Sequence, residues 1–138
     1  MTTHEERLAA AIARTSARHM SDAKWRKLFL LLEQARIVLP ITWWKYLADP
    51  REYSKPGLPG ADDLTTLGIR DGRFQPAWFR EIEYIRVPRQ CPDPRADPKH
   101  ALPPVELPLD RVRAILEAAG RFPLVERDGD LIILAYER

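Results

Sequence analysis

Cysteine is almost missing from this chain: Cys91 stands alone among 138 residues. One thiol forms no internal disulfide, and no Cys/His cluster has the spacing of a zinc site. A reducing compartment is the expectation. Cys91 lies in Arg89-Gln90-Cys91-Pro92-Asp93-Pro94, with no neighbour that would lower its pKa, which argues against a nucleophile. Histidine is scarce too. His4, His19 and His100 fall in the N-terminus, a helix end and a proline-rich stretch, and none sits in a motif that would make it a general base. There is no P-loop, no paired-glycine dinucleotide fingerprint, no nucleophile elbow and no His-Glu-x-x-His. No apolar run approaches membrane-spanning length, and His4-Glu5-Glu6-Arg7 is too charged for a signal peptide. These absences lead to the expectation of a cytoplasmic protein, not an enzyme, with no cofactor and no metal.

What is present is an ordinary globular mix, 45% hydrophobic and 30% charged, in a length that suits one domain over residues 1–138. The net charge of +2 is uneven. Residues 1–36 hold seven Lys/Arg against four Asp/Glu, whereas residues 110–138 hold five against six. That gradient is too shallow to require a nucleic-acid partner.

Residues 5–19 have helical spacing, with Leu8, Ala9, Ile12 and Ala13 on one face, and residues 1–20 read as an N-terminal helical extension. Ser21 is a candidate cap for a second helix to residue 36, whose Trp25, Leu28, Phe29 and Leu32 form an apolar stripe. Residues 37–47 turn β-branched and aromatic, with Pro40 forcing an edge, a bulge or a later start. An irregular stretch over 48–63 leads to a short strand at 64–69 and to Asp71-Gly72, a pair suited to a hairpin turn. Residues 79–87 alternate as a strand. Residues 88–108 hold seven of the thirteen prolines and read as an extended surface loop. A third helix from Leu109, with Asp110 as its cap, ends at Gly120, and a hairpin turning on Asp128-Gly129 follows. The expected class is α+β: two N-terminal helices, an antiparallel sheet of about five strands, and one further helix before a C-terminal β-hairpin.

Adjacent residues on a strand face opposite sides, so one of Trp43 and Trp44 enters the core and the other faces away. Trp78 and Tyr53 are further candidates for exposure. Glu81 and Glu83, two apart, are expected to project together from one strand face, and Asp62-Asp63 precedes another strand. An aromatic beside paired carboxylates suits a protein partner, since Trp, Tyr and Arg dominate binding hot spots. The expected contact set is therefore Trp43, Trp44, Tyr53, Asp62, Asp63, Trp78, Glu81 and Glu83. Two alternatives compete. Arg7, Arg14 and Arg18, continued by Lys24, Arg26 and Lys27, offer a basic face to nucleic acid, although Glu5, Glu6 and Asp22 interrupt it. An enzyme would instead need the scattered carboxylates to converge in one cleft.

Three segments carry a resemblance: Asp22-Ala23-Lys24-Trp25-Arg26-Lys27-Leu28-Phe29, Phe79-Arg80-Glu81-Ile82-Glu83-Tyr84-Ile85, and Leu131-Ile132-Ile133-Leu134-Ala135-Tyr136. Over about residues 21–138 the chain resembles a family of small bacterial proteins of unknown function that share a Lys-Trp-Arg helix start and an Ile-Glu-Trp-like strand. It departs from that pattern at Tyr84, in place of the Trp, and at Ala135, in place of a glycine. Small single-domain proteins of this type are frequently immunity proteins encoded beside toxins. The family itself brings no activity to carry over; the association by type gives the expectation of an immunity protein that occludes a toxin.

Overall fold

A computed structural model describes residues 2–138. Helix α1 (His4–Ala13), strand β1 (Ala17–Arg18) and helix α2 (Asp22–Gln34) come first. Strands β2 (Thr42–Tyr46), β3 (Glu52–Lys55), β4 (Gly68–Ile69), β5 (Ala77–Trp78), β6 (Ile82–Val87), β7 (Gln90–Cys91) and β8 (Val105–Glu106) follow. Helix α3 (Leu109–Ala119) and strands β9 (Leu124–Arg127), β10 (Asp130–Leu134) and β11 (Tyr136–Glu137) complete the chain. The fold is α+β. Its centre is a five-stranded antiparallel sheet in the order β3-β2-β6-β10-β9. Among the described residues no helix is long and apolar enough to cross a membrane.

The helices lie on one side of that sheet. Ser21 Oγ accepts the Lys24 amide and starts α2, which buries Trp25, Leu28, Phe29 and Leu32. Phe29 stacks on Trp44 with ring centroids 5.9 Å apart. Register places Trp44 opposite Ile85 and Ile85 opposite Ile133, so these three share the core face with Val87 and Leu131. Helix α3 adds Val112 and Leu116, and α1 adds Leu8 and Ala11. Each of the packed pair α2 and α3 is capped by the other. Lys27 Nζ donates to Ala119 O at 2.9 Å, and Arg111 Nη2 donates to Ala35 O at 3.1 Å, satisfying carbonyls that a helix end leaves free.

Several elements differ from expectation. Helix α1 stops at Ala13, and Ala17–Arg18 instead pair antiparallel with Tyr136–Glu137. With Leu8, Ala11 and Met20 all in the core, residues 2–20 are part of the domain's packing. Of the alternatives that Pro40 leaves open the later start is the one taken, as β2 begins at Thr42 and Pro40 lies outside any ladder. Asp71-Gly72 is not a two-residue hairpin turn: β4 and β5 pair across a longer loop. Asp110 sits in the first turn of α3, and Pro108 is the cap residue. The proline-rich loop is necked by the pairing of β7 with β8 and anchored by buried Cys91 and Leu107.

The most consequential difference lies in 79–87. Residues Phe79–Glu81 form a 3-10 turn, and β6 starts only at Ile82. Where Lys45 pairs with Tyr84, Tyr46 pairs with Ile82. Glu83 is thus the extra residue of a β-bulge, which re-aims its side chain. Glu81 and Glu83 are therefore not neighbours on one strand face.

Candidate functional site

The sheet face turned away from the helices carries Trp43, Tyr84, Arg86 and Glu52, with Ile132 buried opposite Arg86. Arg86 organises this face. Its guanidinium donates to Glu52 Oε1 at 2.8 Å on β3 and to Asp130 Oδ2 at 2.9 Å on β10, spanning four strands. The same guanidinium lies 5.4 Å from the centroid of the Trp43 ring, and Tyr84 Oη donates to Glu52 Oε2 at 2.6 Å. The hydrogen bonds from Arg86, then Tyr84, hold Glu52 below the usual carboxylate range against the opposing effect of burial. Burial and the bond to Glu52 push Tyr84 up to about 12. The result is an aromatic–arginine plate whose polar groups are already fixed in place.

The expected contact residues are scattered around this plate. Trp43 is half-buried on it. Trp44 is fully buried, its Nε1 donating to Thr42 Oγ1, so it belongs to the core and not to a contact surface. Glu83 is buried as well, accepting from Lys45 Nζ at 3.1 Å and Arg138 Nη2 at 2.6 Å. Burial pushes its pKa up, but the two cations outweigh that and hold it below the ordinary value. Glu81 caps the turn that precedes β6 by accepting the Trp78 amide, and its other oxygen meets His4 on α1. Trp78 packs half-buried against the core beneath the Arg80 guanidinium. Asp63 accepts from the Gly60 amide and Arg73, while Asp62 is exposed beside it. Asp63, Glu81 and Glu83 thus meet separate partners, and among the described residues the four expected carboxylates line no common cleft. Among the described residues no group of three His, Cys, Asp or Glu side chains could hold a metal ion.

A second concave region lies on the core side of the β2–β3 hairpin, where the loop between β4 and β5 crosses it instead of a helix. Its largest cavity is about 490 Å³, lined by Tyr46, Tyr53, Lys55, Arg73, Phe74 and Gln75 among others. A contiguous cavity of about 360 Å³ shares Tyr46, Asp49 and Gln75 and reaches His4, Arg7 and Glu81. Asp49 is held by Tyr53 Oη and by Arg51, which together keep its carboxyl well below the usual range.

Sequence reasoning missed Tyr84, Arg86, Glu52 and Asp130. Tyr84 and Arg86 are two apart and so share a face, a signal that was available; their acceptors sit on other strands and were not. In the basic N-terminal stripe Arg7, Arg14, Arg18 and Lys27 are exposed and Lys24 and Arg26 half-buried, and several of these side chains are tied to backbone carbonyls. Arg18 donates to Met20 O, Lys24 to Arg121 O and Arg26 to Thr65 O. Comparison of the chain with protein-family models, with curated proteins and with solved structures finds no match.

Proposed function

We propose that this chain is a non-catalytic protein-binding module that meets its partner through the open sheet face, with Trp43, Tyr84 and Arg86 as anchors. The supporting observation is the fixed Arg86 guanidinium, bridged to Glu52 and Asp130 and resting on Trp43. Trp, Tyr and Arg are the residue types that carry most binding energy. A plate already locked by its own hydrogen bonds loses little side-chain freedom on association. The partner is a toxin, neutralised by occlusion; this part of the reading rests on the frequent association of small single-domain bacterial proteins of this type with toxins.

Affinity capture from the native host with wild-type chain and with Trp43→Ala tests the surface. The wild type retains a protein that the variant releases, while both variants melt within a few degrees of each other. Equal capture by Trp43→Ala removes the sheet face from the reading. Expression of the captured protein then tests the toxin assignment: it arrests growth, and co-expressed wild-type chain relieves the arrest. A captured protein without toxicity leaves a binding module but ends the immunity assignment.

A further inference from the structure

Lys55 is an unusual lysine in this molecule. Lys24 and Lys27 each donate to a backbone carbonyl, and Lys45 donates to Glu83. Lys55 is half-buried, with its ammonium 5.4 Å from the centroid of the Trp44 ring, and among the described residues no carboxylate forms an ion pair with it. Burial pulls its pKa down. The cavity that it lines, about 490 Å³, is of small-ligand size. Other charges there are already matched. Asp49 is held by Arg51 and Tyr53, and Arg73 is paired with Asp63 at 2.9 Å. Among the described residues the cavity therefore contains one partly desolvated cation without a counter-charge. Around it are flat apolar surfaces: the Tyr46 and Tyr53 rings, with centroids 6.3 Å apart, and Phe74, which carries the Arg73 guanidinium on its face.

A bare half-buried ammonium is stabilised by an anion, and aromatic walls favour a planar ring. We propose that this cavity is a binding site for a small planar aromatic molecule bearing one anionic group, carboxylate or phosphate. The anion meets Lys55 with Arg73 nearby, and the ring packs against Tyr46 and Phe74. The site is separate from the open sheet face, because Tyr53 and Lys55 point to the core side of β3 whereas Glu52 points to the other.

Titration calorimetry at neutral pH with benzoate and with phenyl phosphate tests this, with benzyl alcohol and inorganic phosphate as the partial ligands. Saturable binding of benzoate, phenyl phosphate or both is expected, and the better of the two names the anion. Each partial ligand binds at least about tenfold more weakly. Lys55→Met keeps an aliphatic stem over Trp44 but weakens binding at least about tenfold, while Lys55→Arg preserves it. A readout on the unmutated protein guards against a folding artefact: bound ligand slows reductive methylation of Lys55, followed by peptide mass spectrometry. Failure of both aromatic anions to bind at millimolar concentration overturns the proposal. So does unchanged affinity in Lys55→Met, or Lys55 methylation that ligand leaves untouched.

Discussion

Glu83 is where charge and packing constrain each other most tightly. Its side chain is 10% exposed, and the bulge aims it between Lys45, 11% exposed, and Arg138, 52% exposed. A buried carboxylate with two donors tolerates neither loss nor reversal of its charge. Glu83→Gln is expected to lose about 1–3 kcal/mol at neutral pH, less than the ~3–5 kcal/mol of a fully buried pair because solvent screens the Arg138 side. The pH dependence has a defined sign. The folded-state pKa lies below the ordinary 4.5, so the contribution is complete above that value and fades as pH falls through the folded pKa. Denaturant melts of wild type and Glu83→Gln should therefore converge on the acid limb. A gap that stays constant with pH would refute the ion-pair account. The adjacent tryptophans make a sharper contrast. Trp44→Ala opens a cavity in the core and should cost roughly 3–5 kcal/mol, whereas Trp43→Ala loses a half-exposed ring under Arg86 and should cost about 1 kcal/mol. Urea midpoints of the two variants decide this, and equal losses would mean that the two faces are misassigned.

At the scale of the element, legibility followed locality. The cap at Ser21 and the stripe of α2 lie within a few turns of chain, and both formed where the spacing placed them. The β9–β10 hairpin turns on Asp128-Gly129, whose φ values of 54° and 86° are those an Asp-Gly pair supplies readily. Gly129→Ala should cost about 1–2 kcal/mol from backbone alone, and more if Arg89 cannot move, because a Cβ there would stand 3.0 Å from Arg89 Cδ. Thermal melts of Gly129→Ala with and without Arg89→Ala separate the two contributions. A Gly129→Ala variant as stable as wild type would show that the turn is not held in this conformation. The 79–87 segment was misread for a different physical reason. Strand alternation has a period of two, so one bulged residue reverses every later assignment of faces. The spacing of Glu81 and Glu83 says nothing of a 3-10 turn at one and a bulge at the other. The same holds for the plate: Arg86 finds Glu52 and Asp130 through strand order, which no short window of sequence contains.

For the whole molecule, the N-terminal segment decides whether the five-stranded sheet and its helices form a unit alone. Read as spacing, residues 1–20 look like an N-terminal helical extension of the domain. In the fold they are tied in at both ends and in the middle. His4 meets Glu81, Leu8 and Ala11 enter the core, and the Ser16 and His19 amides donate to Glu137 O and Ala135 O at 2.8 and 2.7 Å. Met20 is fully buried. Burial of Leu8 and Met20 alone contributes about 1.5–3 kcal/mol each, and the β1–β11 ladder leaves unpaired backbone on β11 when it is removed. A chain beginning at Ser21 keeps every strand of the central sheet, yet its melting temperature should fall by roughly 10 °C or more. Calorimetry of the truncated and full chains measures this directly. Leu8→Ala/Met20→Ala in the full chain retains the ladder and the histidine contact while removing the packing, so it should reproduce most of the loss if burial dominates. A small loss in that double variant beside a large one in the truncation would place the stabilisation in the β1–β11 pairing. A truncated chain melting within a few degrees of the full one would return residues 2–20 to the status of an extension.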